Sequence, residues 1–515
     1  MSKQLTKSAS VVGFMTLLSR IMGFIRDILV ATFFGAGPAY DAFLIAFKIP
    51  NFMRSLLAEG AFSQAFVPLL SEYHTKHGPH EIKNFIDKVA GSLAVIVFIV
   101  MCLLMLGAPM VIRIFAPGFD VDGERFTLAT HMLYITAPYL FFISLTAFCA
   151  GILNTFNKFA IPALTPILLN LAMIGTTLWL RGYLEEPIYA LAYGVLLGGI
   201  LQLALQLPFL WHLKLLPRAK IAFKDPAVKR LLTLIAPLIF AASVVQVNLL
   251  VVTIFASFLA PGSVSWLYFA ERLMQFPLGV FGIALATVVL PHLSKQHAKS
   301  DKGNFHGVLD WALKAVCLIG IPASIALIVI SGPLMTTLFQ YGKFTPFDMI
   351  QSQQALIAFG FGLAIFIFIK ILAAACYARQ DVRAPVRIAV ICLFVNVALS
   401  AVLMQYFAHV GLAMSTTLSA LLNAGLLYAR LYRHAQFRLQ TRWLEFILQL
   451  ILANGAMIYV LIWIMNYYGE WLLLDTKSRV IGLSLLVIVG GLTYLLVLFA
   501  AGLRFKHLRA PIDSH

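Results

Sequence analysis

The chain has 515 residues, of which 61% are hydrophobic and 11% are charged, and its mean hydropathy is +0.91. Soluble proteins are usually about half apolar and about a quarter charged, so this composition excludes a water-soluble fold. The formal net charge of +17 does not indicate nucleic-acid binding, because no basic segment lies in a domain large enough to fold in water. A polytopic α-helical membrane protein is the class that remains.

Apolar segments long enough to cross a bilayer occur along the whole chain. A bilayer core of about 30 Å needs about 20 apolar residues per helix, and the charged or Gly/Pro-rich breaks predict fourteen spans. In chain order they are residues 8–34, 39–70, 86–115, 126–155, 160–180, 187–212, 228–258, 264–293, 307–338, 347–377, 385–405, 409–431, 443–467 and 480–503. The first span carries arginines and no cleavage site, so we expect a retained helix rather than a signal peptide.

The Lys and Arg residues are distributed unevenly between the two sides that these spans create. With the N-terminus in the cytoplasm, most of the 38 basic residues fall in cytoplasmic segments, as the positive-inside rule requires. An even number of spans places both termini on the same side. We therefore predict a multi-pass membrane protein with both termini in the cytoplasm.

The chain matches itself when its first half is laid over its second half. The matching pairs are Pro109 and Pro333, Phe115 and Phe339, and Gly118 and Gly342, all at the same shift. The shift covers six spans, and an even number gives both copies the same orientation, as in the parallel repeats of many transporters. We predict a six-helix lobe over residues 8–225, a second over 226–442, and two additional C-terminal helices over 443–505.

Ionisable side chains inside the predicted spans mark the candidate functional region. Such groups cost at least about 2.5–3.5 kcal/mol each at a helix centre, so they are expected to face a wet or protein-lined interior. The polar residues that share a helix face are Gly13, Thr16, Arg20, Gly23 and Asp27 in the first span, Asp41 and Lys48 in the second, and Ser265, Tyr268, Arg272, Gln275, Gly279 and Gly282 in the eighth. Three helices are therefore predicted to turn a polar face inward.

Basic residues predominate among these internal charges. The basic group is Arg20, Arg26, Lys48, Arg54, Arg272 and Lys370, against Asp27, Asp41, Glu59 and Glu271. An internal positive surplus needs an anion, and the planar guanidinium fork matches phosphate, so we predict a phosphate- or diphosphate-bearing ligand. In the alternative interpretation, Arg26 with Asp27 and Glu271 with Arg272 merely compensate each other. Lys48, and Lys370 near a cytoplasmic end, would then extend toward an interface.

Catalytic and metal-binding motifs are missing from the sequence. It contains no HExxH, GxSxG or Walker A pattern, and its five cysteines fall in apolar segments without a CxxC. No catalytic residue, cofactor or metal site is predicted. Transport would then draw on a gradient, on the membrane potential, or on the substrate's own downhill path.

Several segments closely resemble the MurJ/MviN family of lipid II flippases within the MOP exporter superfamily. They include SRIMGFIRD (19–27), AFSQAFVP (61–68), NTFNKFAIPALTPILLN (154–170) and ARQDVRAPVRIA (378–389), and the likeness runs from about residue 8 to 445. The resemblance implies export of an undecaprenyl-diphosphate-linked peptidoglycan precursor by a V-shaped transporter with a cationic central cavity. It also implies lipid II, membrane lipids and the cell-wall synthesis machinery as partners, without nucleic acid.

The resemblance carries roles over to particular residues. It implies substrate binding by Arg20, Arg26, Arg54, Arg272, Ser19 and Ser265, and gating or ion pairing by Asp27, Asp41, Lys48 and Glu59. Two positions depart from the family pattern, since some members have an acidic residue in place of Gln275 and a basic residue in place of Ser55. An ion pair or phosphate contact at these two positions is therefore not carried over.

Three other functions are compatible with part of the pattern. A flippase for another polyprenyl-diphosphate saccharide, such as an O-antigen unit, would share the cationic cavity, although the segments at 19–27 and 61–68 favour the lipid II family. A multidrug antiporter of the same superfamily would need an acidic cavity, whereas the cavity predicted here is basic. A membrane enzyme acting on polyprenyl phosphates would need an aspartate-rich metal motif or a catalytic His/Asp set, and the sequence shows neither.

Overall fold

The computed structural model describes residues 3–56, 61–299, 302–435, 437 and 443–503, and within these ranges the chain is helical, with short turns and no β-strand. The helices are α1 (Lys3–Phe34), α2 (Pro38–Arg54), α3 (Ala61–Lys76), α4 (Pro79–Leu106), α5 (Ala108–Phe115), α6 (Glu124–Thr155), α7 (Ala160–Trp179), α8 (Tyr189–His212), α9 (Pro226–Ser257), α10 (Ser263–Pro277), α11 (Ile283–Ala298), α12 (Lys302–Val329), α13 (Ser331–Phe339), α14 (Pro346–Ala378), α15 (Arg383–Ala435), α16 (Trp443–Tyr468) and α17 (Thr476–Ala500). The predicted all-α polytopic class is confirmed.

Ten helices in the described part of the chain are long and apolar enough to cross a membrane. Helix α15 counts once among them, although Ala408 (φ 47°, ψ −129°) breaks it into two arms. The hydroxyls of Ser400 and Ser415 lie 2.7 Å apart, so the arms run antiparallel. They correspond to the predicted spans 385–405 and 409–431. The total of fourteen spans stays a prediction.

Four predicted spans each contain two helices. The spans predicted at 86–115 and 307–338 contain α4 with α5 and α12 with α13. The span predicted at 39–70 contains α2 and α3, and the span predicted at 264–293 contains α10 and α11, separated by a π-helical turn at Leu278–Gly282. Pro277 directly precedes this turn and donates no backbone hydrogen bond, so it favours an interruption there. Apolar composition hides such breaks because the residues on both sides remain apolar.

The order and length of the helices repeat along the chain. The 28-residue α4 precedes the 8-residue α5, and the 28-residue α12 precedes the 9-residue α13. The next helices, α6 and α14, have 32 and 33 residues. The internal match found in the sequence therefore corresponds to a repeat of the helical elements.

Two compact units divide the chain, Met1–Gly262 and Ser263–His515. Helix α9 packs on α3 and belongs to the first unit. The predicted lobe boundary at residue 225 depends on the internal repeat rather than on packing, so the domains 8–225, 226–442 and 443–505 stay predictions.

Each unit has its own apolar core. In the first unit the rings of Phe62, Phe66 and Phe148 lie with centroids 5.0–6.1 Å apart and join α3 to α6. In the second unit α12, α16 and α17 pack together around Leu461 and Leu486. The two C-terminal helices are therefore held in the second unit by close van der Waals packing.

Helices α9, α14 and α17 begin at side-chain caps that are visible in the sequence. Thr345 and Asp348 form a reciprocal capping box at the start of α14, with N···O distances of 3.2 and 3.0 Å. Asp225 and Asp475 cap α9 and α17 through their side chains. Trp266 Nε1 also donates to Asp348 Oδ1 at 2.8 Å, which fixes α10 against α14.

Candidate functional site

Arg26 lies in a hydrogen-bond network between α1 and α7. Its Nη2 and Nε atoms donate to Asp27 Oδ1 at 2.6 and 3.1 Å. Its Nη1 donates to Asn170 Oδ1 at 3.1 Å, and Asn170 Nδ2 donates to the Ser19 carbonyl at 3.3 Å. The side chains of Arg26 and Asp27 are 12% and 0% exposed. The network holds the middle of α1 against α7.

The Arg26–Asp27 pair determines how this arginine can meet an anion. Two of its nitrogens donate to a single carboxylate oxygen in a buried setting, which compensates the guanidinium charge locally. In this conformation Arg26 positions α1. Direct contact between Arg26 and a ligand stays a prediction and requires these hydrogen bonds to rearrange.

The small and polar stripe predicted on α1 changes from exposed to buried along the helix. Gly13 and Thr16 are exposed, Arg20 is half-buried, and Gly23 and Asp27 are buried. Arg20 is half-buried and lies at the transition between the exposed and buried parts of the stripe. Arg26, the other arginine on α1, already donates to Asp27 and Asn170.

Three polar contacts connect α2 with α9 and with the turn that follows α9; we call them the α2–α9 ladder. They join Asp41 to Gly262, Lys48 to Thr253, and Ser55 to Gln246. The α2 positions are seven apart, about two helical turns, and their partners occur in reverse order along the chain. The two segments therefore run antiparallel, with polar contacts at regular intervals.

The ladder contact at Asp41 is the most buried of the three. Asp41 is 0% exposed, and its Oδ2 accepts from the Gly262 N–H at 2.6 Å. Gly262 has φ +98°, a conformation that favours glycine. The face that Asp41 shares with Lys48, expected from their spacing, is the face that meets the α9 segment.

Arg54 is the last residue of α2. It is half-buried, and its Nε donates to Asn51 Oδ1 at 2.8 Å, one turn earlier on the same helix. Glu59, to which a gating role was assigned from the sequence, lies outside the described residues, so that role stays a prediction.

Helix α10 carries the site residues predicted in the second unit. Ser265 is 0% exposed, so a ligand can reach its hydroxyl only after the surrounding helices separate. Arg272 is half-buried two turns further on. Gln275 Nε2 donates to Glu271 Oε1 at 2.7 Å, so the departure from the family pattern at 275 places a neutral amide beside this carboxylate.

Three residues of these networks were not predicted from the sequence: Asn170, Gln246 and Thr253. Gln246 and Thr253 are seven residues apart in the apolar helix α9, the same spacing as Lys48 and Ser55 on α2. That matched spacing is a signal from which the ladder could have been found. Asn170 is a single amide in an apolar helix and carries no comparable pattern.

Guanidinium groups accompanied by hydroxyl and amide side chains occur on α1 and α2 in the first unit and on α10 in the second. Such a set binds phosphate oxygens through charge-assisted and often bidentate hydrogen bonds. Within the described residues, no three His, Cys, Asp or Glu side chains are grouped so that they could hold a metal ion. Taken separately, the polar faces of α1 and α2 in the first unit and of α10 in the second carry side chains that are suited to binding an anion.

Comparison with known proteins gives consistent matches over nearly the whole chain. Residues 30–482 match the family model "Lipid II flippase MurJ". The "Probable lipid II flippase MurJ" of Vibrio cholerae is 42% identical over 99% of both chains. The "Lipid II flippase MurJ" of Burkholderia cenocepacia is 38% identical, with 97% of this chain and 98% of that protein covered.

Solved structures show the same fold. A structure described as "Lipid II flippase MurJ, inward closed conformation" has a TM-score of 0.79 at 28% identity, and the match covers 94% of this chain and 97% of that chain. An inward-facing MATE family multidrug transporter of the MOP superfamily has a TM-score of 0.64 at 16% identity, covering 82% of this chain and 97% of that one. The second likeness concerns the fold alone.

Proposed function

Because the chain belongs to the lipid II flippase MurJ family, we propose that it carries lipid II from the cytoplasmic to the periplasmic leaflet of the bacterial inner membrane. It is a transporter rather than an enzyme. Lipid II is an undecaprenyl diphosphate that bears a disaccharide-pentapeptide, so the head group has to cross the apolar layer together with its diphosphate. The protein must supply positive charge along that path.

The observation that carries the proposal is the stripe of α1, with Arg20 at the boundary between its exposed and buried parts. An arginine at membrane depth is expensive unless it faces a polar interior or an anion. We propose that Arg20, Arg54 and Arg272 bind the diphosphate, and that Arg26 joins them once its hydrogen bonds rearrange. Ser19 and Ser265 are proposed to add hydrogen bonds to the bound head group.

The α2–α9 ladder is proposed to belong to one of the two conformations of an alternating-access cycle. The predicted topology places Asp41 near the periplasmic end of α2, so the ladder would close the path on that side. Release of the head group would then require the Asp41–Gly262 and Lys48–Thr253 contacts to break. We propose that Asp27, Asp41, Lys48 and Glu59 exchange partners between the two states.

The direction of transport is proposed to follow from electrostatics. A negative charge that moves outward across an inside-negative membrane gains about 2.3 kcal/mol per 100 mV. Export of an anionic head group would therefore be favoured over import. Peptidoglycan synthesis on the periplasmic side would consume the product, which makes the cell-wall synthesis machinery an expected partner.

Depletion of the protein in growing cells tests the proposal. Lipid II is expected to accumulate and to become inaccessible to a membrane-impermeant probe added outside the inner membrane. Re-expression of the wild-type chain should restore labelling and growth. Full accessibility of lipid II to the probe during depletion would contradict a flippase role.

A further inference from the structure

The Arg-rich end of the second unit contains a pocket that the proposed transport cycle does not use. It lies where the turn between α14 and α15 meets the last turn of α15, and its volume is about 420 Å³. The lining residues are Cys376, Arg379, Gln380, Asp381, Arg430, Leu431 and His434. The predicted topology places this end of the unit at the cytoplasmic surface of the membrane.

The pocket contains more positive than negative groups. Arg430 donates through Nε and Nη2 to Asp381 Oδ2 at 3.0 and 2.9 Å, which compensates one guanidinium. Arg379 Nη2 donates to the carbonyl oxygen of His434 at 3.0 Å, and this acceptor carries no formal charge. Two guanidinium groups and one carboxylate among the lining residues leave an uncompensated positive charge.

Part of Arg430 is also directed at a weak acceptor. Its Nη1 lies 2.6 Å from His434 Nε2. A guanidinium can only donate, so the histidine nitrogen is the acceptor in this contact. A phosphate oxygen is a stronger acceptor than a neutral imidazole nitrogen, and it would compete for the same N–H.

Exposed tyrosine and valine side chains occur next to the pocket-lining residues in the sequence. Tyr377, Val382 and Tyr432 are 45%, 56% and 47% exposed, and each directly follows a pocket-lining residue. Tyrosine is enriched where a membrane meets water. The chain around the pocket therefore exposes side chains of the kind found at a membrane surface.

We propose that this pocket binds the phosphate group of an anionic phospholipid from the cytoplasmic leaflet. Basic pockets between membrane helices on the cytoplasmic side are suited to anionic head groups. Free phosphate offers the same oxygen chemistry, but the exposed tyrosines beside the lining residues in the sequence favour a ligand that is part of a membrane. Arg383 and Arg433, which are exposed at the two ends of α15, extend the positive surface around the bound head group.

Native mass spectrometry of the purified full-length chain tests this proposal with phosphatidylglycerol, phosphatidylcholine and inorganic phosphate as separate probes. Arg379→Gln is expected to weaken phosphatidylglycerol binding about tenfold, which corresponds to the loss of one charge-assisted hydrogen bond. Asp381→Asn should strengthen binding, because it removes the carboxylate that competes for Arg430 while keeping an oxygen acceptor. Arg387→Gln, an exposed arginine of α15 outside the pocket, is the matched control and should bind like the wild type.

Several binding results would contradict the proposed phospholipid site. Equal binding of phosphatidylglycerol and phosphatidylcholine would overturn the proposal, as would equal effects of the Arg379 and Arg387 variants. Saturable binding of inorganic phosphate without phosphatidylglycerol binding would overturn the choice of a lipid. If Arg379→Gln does not fold, weaker binding by Asp381→Asn would still contradict the proposal, and stronger binding would support it.

Discussion

Asp87 on α4 and Asp310 on α12 occupy equivalent positions of the repeat, and each buried carboxylate binds the segment that follows the last helix of its repeat. Both are 3% exposed. Asp87 Oδ1 accepts from the Arg218 N–H at 2.8 Å, and Asp310 Oδ1 accepts from Trp443 Nε1 at 2.7 Å. One position on α4 and α12 therefore has the same structural role in both repeats.

The partner segments also correspond. Lys220 donates its N–H to the Asp87 carbonyl at 3.0 Å, and the shift that takes Asp87 to Asp310 also takes Lys220 to Trp443. In the first repeat the bound segment, residues 213–225, connects α8 to α9. In the second repeat the bound residue begins α16. Each aspartate therefore holds the segment that follows a helical repeat against that same repeat.

The first prediction concerns Trp443. Trp443→Phe keeps an aromatic ring but removes the donor to the buried Asp310 carboxylate, so we expect a loss of about 1.5–3 kcal/mol. Thermal unfolding in detergent measures the effect. Trp463→Phe is the matched control, since Trp463 lies on the same helix and is 62% exposed. Equal melting temperatures for the two variants would rule out a stabilising role for the Trp443–Asp310 bond.

The second prediction concerns the packing of residues 213–225 on α4. A Cβ added at Gly91 would lie 2.4 Å from backbone atoms of Lys220, and backbone cannot move aside as a flexible side chain can. Gly91→Ala is expected to destabilise the protein by about 1–3 kcal/mol through overpacking. At Gly425 an added Cβ meets no atom within 4 Å, so Gly425→Ala is the control in the same unfolding assay. A Gly91→Ala variant as stable as this control would show that the segment can shift at little cost.

The third prediction is a pH dependence at Asp225. Burial raises the pKa of Asp225, but the Lys88 ammonium and the N–H groups of Ala227 and Val228 outweigh burial and lower the pKa below its ordinary value of 3.8. A carboxyl whose pKa is lower in the folded state stabilises the protein above its unfolded pKa, and this contribution is lost as pH falls through the folded pKa. The ion pair should therefore stabilise the fold at pH 7 and contribute nothing in strong acid.

Asp225→Asn isolates that ion pair because asparagine remains a good helix cap. At pH 7 we expect a loss of about 1 kcal/mol, in the range of partly exposed pairs, and a smaller difference from wild type as the pH falls below about 4. Melting temperatures across this range provide the measurement. Asp122→Asn, at an exposed carboxylate, is the control. A difference that stays constant with pH would exclude the ion pair as its cause.

The sequence predicts the membrane class, the family and the helical repeat because each depends on patterns spread along most of the chain. It also places Asp41 and Lys48 on a common face from their spacing alone. The turn at Ala408 lies between the predicted spans 385–405 and 409–431, whereas the break at Gly107 falls inside the predicted span 86–115, because apolar residues continue on both sides of it. The spacing of polar residues along a helix shows which side chains share a face, but it does not show which helix packs against that face.

The same limit applies to Arg26. Counting charges along the chain predicts a surplus of arginine in the membrane, and the structure shows that one of these arginines is already paired. Asp27 is its immediate neighbour in sequence, and adjacent residues on a helix point about 100° apart. The arginine side chain is long enough to reach Asp27 despite this angle, and it also reaches Asn170 on α7. No local sequence pattern connects Asn170 to α1.

The fourth prediction separates charge pairing at Arg26 from ligand binding. Arg26→Ala removes the guanidinium that compensates the buried Asp27 carboxylate, at a cost of about 3–5 kcal/mol, so it tests folding as much as transport. The double variant Arg26→Gln/Asp27→Asn removes both charges and keeps hydrogen-bonding groups. We expect it to reach the membrane at normal levels but fail to support growth, because no guanidinium remains at position 26 for the diphosphate.

Two further variants make this test specific. Arg272→Lys, on α10, is also expected to impair growth support, since an ammonium cannot reproduce the planar fork. Arg113→Gln removes an exposed arginine of α5 and should have no effect. Normal growth of both the double variant and Arg272→Lys would eliminate bidentate diphosphate binding at these positions and leave general electrostatics as a sufficient account.

The fifth prediction tests whether the α2–α9 ladder has to open during transport. Lys48 and Thr253 form its middle contact, so a covalent link between these positions should hold α2 and the α9 segment together. In the variant Lys48→Cys/Thr253→Cys, treatment with a short bifunctional thiol reagent is expected to stop the appearance of lipid II at the outer leaflet. A cleavable version of the reagent should allow transport to resume after reduction.

The two single-cysteine variants control for the substitutions and for the five native cysteines, four of which are buried. A ladder that stays closed throughout the cycle would tolerate the link. Unchanged transport in the cross-linked protein would therefore show that the ladder is permanent packing within the first unit and that α2 does not move relative to α9 during transport.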